Sequence, residues 1–239
     1  MRLLKSKQTP LALAEIERSL ERTKSLVFRV LRELERQELV RRDGDGRYWL
    51  GIEALEVGAA YLMHSDFTAT VRRVLQAAAT ATRENVNLSV LRGGDVLYLM
   101  KIPGPDSYVT ISRVGGRVPA HCVASGKALL AELPSEEIRS LLHEPLATMT
   151  PHSPATVRAL ESELDLVREL GYAIDEEQAV LGRCGLALTV KLDTGESASI
   201  SLSTHAAVFP DRRSELLDVL LSVKDEIGRE LAARESLAG

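Results

Sequence analysis

The chain has 239 residues, of which 45% are hydrophobic, 27% charged and only 4% aromatic, with a net charge of −4 and two cysteines. Those are ordinary globular values, enough for two modest domains whose cores rest on Leu, Val, Ala and Ile. No apolar run approaches the roughly 18 residues of a membrane helix, and the start MRLLKSKQTP has no apolar signal core, so a cytoplasmic protein with reduced thiols at Cys122 and Cys184 is expected.

The charge is unevenly placed. Residues 1–51 carry 12 Lys/Arg against 8 Asp/Glu, and the remainder 18 against 26. A basic module on an acidic body points to phosphate contact by the first part alone.

In chain order, Arg2–Lys7 reads as the tail of a first helix, and Pro10 opens a second that runs to about Leu20. A third spans about Lys24–Gln37, with Val27, Val30, Leu31 and Leu34 at helical spacing and Ser25, Phe28, Arg29 and Arg32 on the opposite face. Val40 and Tyr48 then lie on two short strands joined by Asp43-Gly44-Asp45-Gly46, a strong hairpin signal. Three helices and a hairpin in about 50 residues is winged-helix order.

Residues 52–83 carry helical stripes (Leu55, Ala59, Leu62; Val71, Leu75, Ala78) and read as a connector followed by the first helix of a second domain. From Asn85 the period becomes that of strands. NVNLSVLR and DVLYLMKI are joined by Gly93-Gly94, and SYVTISR is expected to be a third strand. GKALLAEL is helical, Ser135 is expected to cap the next helix, and Ser153-Pro154 to start the one that ends at Gly171. Strands follow near Ala173–Asp175, Gly185–Lys191 and Ser197–Ser203, then a final amphipathic helix from about Arg212 to Arg234.

A recognition helix must enter a major groove about 12 Å wide with its polar face outward. Lys24 and Ser25 at the start of the third helix are placed to meet phosphate, Phe28, Arg29 and Arg32 lie on the outward face, and Arg41, Arg42 and Arg47 flank the wing. These residues are the DNA-binding candidates, and double-stranded DNA is the expected partner. The plain alternative is a solvated basic helix on an ordinary domain.

Three collinear segments then carry a resemblance. TKSLVFRVLRELERQELVRRDGDGRYWLG (Thr23–Gly51), RVGGRVPAHCVASGKALLAELP (Arg113–Pro134) and LGYAIDEEQAVLGRCGLALTV (Leu170–Val190) together resemble the IclR family of bacterial transcriptional regulators. The resemblance implies an α+β chain: an N-terminal winged helix-turn-helix over residues 1–51, a helical connector over 52–66, and over 67–239 a GAF-like α/β effector-binding domain with a mixed or antiparallel sheet. It implies a homodimer or a dimer of dimers, an operator on double-stranded DNA, and a small organic acid or aromatic catabolite as effector. No cofactor is expected. The chain departs from the family pattern at a short first helix, as though the usual start were missing. It departs again at Leu20-Glu21-Arg22, where the family's turn commonly has Gly, and at Leu26, where Thr is frequent.

The effector site is expected near Ser125 and Gly126, where a helix start would offer free amides to a carboxylate, Ser125 would cap the helix and Gly126 would let a ligand approach the backbone. By resemblance the pocket also takes Asp175, Cys184, Ser201 and Ser203. Alternation agrees for the two serines, which share one face of their strand while Ile200, Leu202 and Thr204 take the other. Each has a plain alternative: serines on a solvent face, a small buried cysteine, an aspartate capping a turn.

Enzymatic readings are weak. His121-Cys122 are adjacent, and nothing completes a triad. His121, Cys122, Cys184 and His205 lack the spacing of a zinc site. Ser125-Gly126-Lys127 fails the phosphate-loop pattern, with His121 and Ala128 where Gly and Ser/Thr are required. The competing non-enzymatic reading is a ligand-sensing module whose degenerate winged helix binds protein rather than DNA.

Overall fold

In the computed structural model, which describes residues 1–7, 9–63, 66–106 and 111–238, the chain divides into two compact units, Met1–Ser65 and Asp66–Gly239. Among the described residues no helix is long and apolar enough to cross a membrane.

The first unit runs α1 (Arg2–Ser6), α2 (Leu13–Leu20), α3 (Lys24–Arg36), β1 (Val40–Arg42), β2 (Tyr48–Leu50) and α4 (Glu53–Met63). Its core is Leu4, Leu11, Ile16, Val27, Leu31, Val40 and Tyr48. The second helix starts later than Pro10 suggests. Leu11 is spent on a bridge with Tyr48, its amide donating to the Tyr48 carbonyl (2.9 Å) and its carbonyl accepting from the Tyr48 amide (2.7 Å), so helical bonding begins only beyond it. Glu15 then reaches back to accept from the Ala12 amide (2.7 Å). On α3, Val27 and Leu31 are buried, but Val30 is 48% exposed: it sits off the line that the other apolar residues trace.

The turn between α2 and α3 has no glycine, yet it adopts the backbone shape a glycine would favour. Glu21 takes the left-handed conformation (φ 51°, ψ 44°), and its amide donates to the Glu17 carbonyl. In the wing, β1 pairs antiparallel with β2, and Asp43 Oδ1 accepts from the amides of Asp45 (3.1 Å) and Arg47 (2.9 Å) to close the turn.

The second unit opens with α5 (Asp66–Thr82), followed by β3 (Asn85–Arg92), β4 (Asp95–Ile102) and β5 (Arg117–Pro119). A short 3-10 turn leads to α6 (Ala124–Ala131), α7 (Ser135–Leu141) and α8 (Val157–Leu170). Then come β6 (Ala173–Glu176), β7 (Arg183–Lys191), β8 (Ser197–His205) and α9 (Phe209–Ala238). The strands form one sheet in the order β5-β4-β3-β8-β7-β6, every pairing antiparallel. Helices α5 and α9 pack against one face of it and α6 against the other, with α8 behind α6. Val96, Tyr98, Val118, Leu130, Ile138, Leu160 and Leu164 fill the core on the α6 side.

Several expected boundaries move. Of the proposed strand SYVTISR, residues 107–110 lie outside the described residues and 111–113 are not in a strand; the strand beside β4 is β5. Ser135 is the first helical residue of α7 rather than its cap, because Pro134 already holds the extended cap conformation and accepts the first helical bonds from Glu137 and Ile138. Ser153 does not open α8. Its hydroxyl accepts from the Met149 and Thr150 amides and donates to the Gln178 carbonyl (2.6 Å), while Thr156 caps the helix by accepting from the Ala159 amide. The last helix starts at Phe209, with Pro210 in its first turn, where a missing amide costs nothing.

Candidate functional site

Two regions gather the candidate residues, one in each unit. In the first, the α2–turn–α3 unit presents one face of α3 to solvent. Lys24 and Ser25 are exposed at its start, and Phe28, Arg29 and Arg32 are exposed along it. The Arg32 guanidinium lies 6.0 Å from the centre of the Phe28 ring. Arg36, one turn on, is tied to Glu33 (2.6 Å), whereas Arg29 and Arg32 enter no salt bridge among the described residues. On the wing, Arg41 stacks over its cross-strand partner Trp49 at 3.8 Å, and Arg42 lies 5.6 Å from the Tyr48 ring. Such stacking holds a guanidinium extended without consuming its donors. Arg47 is exposed beside them.

In the second unit a cavity of about 230 Å³ opens between the start of α6 and the facing sheet. Ser125, Asp175, Ser201 and Ser203 all line it, together with Asn87, Tyr98 and Arg183. The sheet places them by register. Asn87 pairs with Ser201, Asn85 with Ser203, and Gly185 with both Ser203 and Asp175, so their side chains share the α6 face. Ala124 and Ser125 also line the cavity, and as the first residues of α6 their amides have no acceptor within the helix.

The polar groups here are buried and incompletely matched. Asn87 is 4% exposed, and its Oδ1 has no partner. Burial pushes the Asp175 carboxyl up to about 6, although the Gln178 amide, donating to Oδ1 at 2.7 Å, and the Lys127 charge both act to lower it. Burial likewise raises the Tyr98 hydroxyl to about 12, against the opposing bond with Ser125. Behind this wall the Lys127 ammonium donates to Glu163 Oε2 and Gln178 Oε1, both at 2.6 Å, so this buried charge is paired within the protein.

Two expected pocket residues stand elsewhere. Cys184 lies between two cavity-lining residues, Arg183 and Gly185, and alternation turns its thiol to the other side of β7. Gly126 is needed for packing rather than for ligand approach: a Cβ there would fall 2.1 Å from the Ala120 carbonyl oxygen. Ser125 sits inside the first turn of α6, with Val123 at the cap position, so its hydroxyl faces the cavity instead of capping. Sequence reasoning missed Asn87, Tyr98 and Arg183. The signal for the first was present as the alternating polar residues Asn85, Asn87 and Ser89, all buried.

The thiols are poor nucleophiles. Burial raises both, Cys184 to about 11, so they stay protonated at neutral pH. His121 Nε2 pairs with the Ala147 carbonyl, which the Cys122 thiol also contacts. Among the described residues no group of three or more His, Cys, Asp or Glu is arranged to hold a metal ion.

A winged helix with free arginines, joined in one chain to an antiparallel sheet domain with a buried polar cavity, defines a DNA-binding transcription regulator with an effector domain. The chain belongs to the IclR family: the IclR helix-turn-helix model matches residues 1–44, and the bacterial transcriptional regulator IclR C-terminal model matches residues 59–229. It is 29% identical over 195 residues to the HTH-type transcriptional repressor AllR of Escherichia coli K12, covering 80% of this chain and 72% of that one. It is 31% identical over 192 residues to the probable transcriptional regulator SauR of Cupriavidus necator, covering 80% and 76%. Among solved structures, the IclR of Thermotoga maritima matches with a TM-score of 0.69 at 27% identity, covering 96% of this chain and 94% of that one. A putative IclR regulator from a Silicibacter species shares the fold with a TM-score of 0.82 at 21% identity, covering 92% and 89%. The relatives are regulators, not enzymes.

Proposed function

We propose that this chain reads an operator through Lys24, Ser25, Phe28, Arg29 and Arg32 on α3 and through Arg41, Arg42 and Arg47 on the wing. A small organic acid in the cavity lined by Ser125, Asp175, Ser201 and Ser203 sets its affinity for that operator. The observation that carries the reading is the cavity: buried polar groups without partners, next to helix-start amides, are costly unless a polar ligand meets them. An IclR homologue from Microbacterium hydrocarbonoxydans, with a TM-score of 0.75, was crystallised with 4-hydroxybenzoate, which supports the ligand class.

In this reading residues 1–51 bind DNA, 52–66 connect and 67–239 sense. The protein works in the cytoplasm as a homodimer or a dimer of dimers. The exposed apolar residues Ile52, Leu55, Val57 and Tyr61 at and along α4 support self-association. Ligand moves the connector and so changes the spacing of two recognition helices, and a coupling of about 1–3 kcal/mol alters operator affinity roughly 5–150-fold. Gel shifts against the gene's own upstream region, with and without a panel of carboxylic and aromatic acids, test it. Binding that is specific, salt-sensitive and ligand-dependent is expected. DNA affinity that no acid changes would sink the effector half, and absence of specific binding would favour a winged helix that serves protein contact.

A further inference from the structure

We infer that Arg183 is the carboxylate receptor of the cavity, and that the ligand is a hydroxylated organic acid whose carboxylate meets Arg183 while its hydroxyl reaches Asp175. The inference rests on the effector reading above and narrows its ligand class.

Arg183 begins β7 with its side chain 15% exposed. Its Nη2 donates to the Ser203 carbonyl (2.6 Å) and lies 3.3 Å from the Ser203 hydroxyl. Its Nε–H is buried and has no acceptor. A guanidinium carries five N–H donors in a rigid fork and keeps its charge under all ordinary conditions, so a buried, unmatched edge is a standing cost.

The neighbouring carboxylate pairs with it only at long range. Glu84 Oε2 stands 3.9 Å away, while the other oxygen, Oε1, accepts from Arg212 Nη1 (2.9 Å) and the Thr204 hydroxyl (2.6 Å). Arg212 has a second carboxylate, Glu215, at 3.0 Å, but Glu215 lies at the surface. The cluster thus holds two guanidinium groups and two carboxylates, both carboxylates lying within 3.0 Å of Arg212, while Arg183, which lines the cavity, keeps only the longer contact of 3.9 Å. A ligand carboxylate is the group whose paired oxygens fit that fork.

The other pole is acidic. Asp175 pairs with Gly185, two residues along β7 from Arg183, a separation of about 7 Å along the strand. Asp175 and Asn87 both line the cavity, and the buried Asn87 Oδ1 has no donor. An acid with no hydroxyl brings no donor to this pole, and a dicarboxylate sets a second anion against Asp175. A hydroxy acid satisfies both ends, with Ser201 and Ser203 lining the cavity from β8.

The test is calorimetric titration of the full chain and its Arg183→Gln variant at pH 7.5. The probes are 4-hydroxybenzoate, 3-hydroxybutyrate and lactate, their primary amides, and benzoate, butyrate and propionate. At least one hydroxy acid binds wild type; its amide, and the acid on Arg183→Gln, each bind at least about thirty-fold more weakly. The acid lacking the hydroxyl binds about ten-fold more weakly than its hydroxylated counterpart. Arg183→Lys keeps the preference for acid over amide at reduced affinity, and it serves in place of Arg183→Gln if that variant does not fold. Equal binding of acid and amide, or an unchanged preference in Arg183→Gln, overturns the assignment of Arg183. Tighter binding of benzoate, butyrate or propionate than of the hydroxylated acids overturns the ligand class while leaving an acid effector in place. If no probe binds, the hydroxy-acid proposal falls, and operator gel shifts with the wider panel decide the fate of the effector reading.

Discussion

Lys127 and Asp175 are joined through a single residue: the Gln178 backbone amide donates to Asp175 Oδ1 (2.7 Å), and the Gln178 side-chain carbonyl accepts from Lys127 Nζ (2.6 Å). The link fixes the loop after β6 under the cavity, and it explains how a carboxyl as buried as Asp175 is held facing a space that otherwise disfavours its charge.

The same burial makes stability depend on pH in a defined window. With its folded value raised from 3.8 to about 6, Asp175 binds a proton more tightly in the folded state than in the unfolded chain. Its contribution is most favourable below about 3.8, declines as pH rises toward 6, and is level above that. The decline amounts to about 3 kcal/mol. Asp175→Asn removes it, so the stability difference between wild type and variant, from urea unfolding at pH 4 and pH 7, is expected to change by that order in favour of the variant at pH 7. A difference that does not move with pH refutes the environment described for Asp175.

Gly126 and Gly185 both border the cavity region and make a controlled pair. A Cβ on Gly126 would strike the Ala120 backbone at 2.1 Å, whereas one on Gly185 would meet the Ala124 methyl at 3.4 Å, an ordinary contact. Gly126→Ala is expected to cost about 3 kcal/mol or more and to lower the Tm of the effector domain by roughly 6–12 °C; Gly185→Ala is expected to cost under about 1 kcal/mol. Calorimetric melts of the two variants decide it, and similar Tm values for both contradict the packing at Gly126.

Ser153 and Thr156 separate a buried hub from a helix cap. Ser153→Ala strands two amides and a carbonyl, an expected loss of about 2–3 kcal/mol, while Thr156→Ala loses one capping bond worth about 1 kcal/mol. Denaturant midpoints should rank them in that order. The reverse order would restore Ser153-Pro154 as the start of α8.

Ser153 and Thr156 also mark the limit of what is legible in the sequence. Local signals were legible: the Gly93-Gly94 turn, the strands Asn85–Arg92 and Asp95–Ile102, and the wing closed by Asp43 all stand where pattern and turn chemistry put them. Choices decided by partners far along the chain were not. Leu11 leaves the helix because Tyr48 takes it, and Ser153 leaves its cap because Gln178 accepts from it. In the cavity, Ser125, Asp175, Ser201 and Ser203 were legible through family resemblance and alternation, but Arg183 was not: how closely it is paired depends on Glu84, which it shares with Arg212 across 128 positions of sequence.

Glu21 is a local case of strain. Its left-handed backbone costs a non-glycine residue about 1 kcal/mol, and the position is exposed. Glu21→Gly is therefore expected to stabilise the first unit by about 0.5–1 kcal/mol without loss of DNA affinity, seen as a higher denaturant midpoint of that unit. Destabilisation instead would mean that the Glu21 side chain has a role its exposure does not suggest.

The face of α3 proposed to read DNA yields the sharpest electrostatic prediction because its arginines differ in how far they are committed. Arg36 is engaged by Glu33, while Arg29 and Arg32 are exposed and unpaired among the described residues. Each phosphate contact releases counterions, so its removal flattens the plot of log affinity against log salt by about one unit of slope, and loss of a base contact costs about 1–3 kcal/mol. Arg29→Ala and Arg32→Ala should each weaken binding to the gene's upstream DNA by about ten-fold or more, with a flatter salt dependence wherever the contact is to phosphate. Arg36→Ala should change it less than three-fold. Fluorescence anisotropy across a potassium chloride series reads both quantities. If Arg36→Ala matters as much as the other two, α3 meets the duplex with a different face from the one assigned here.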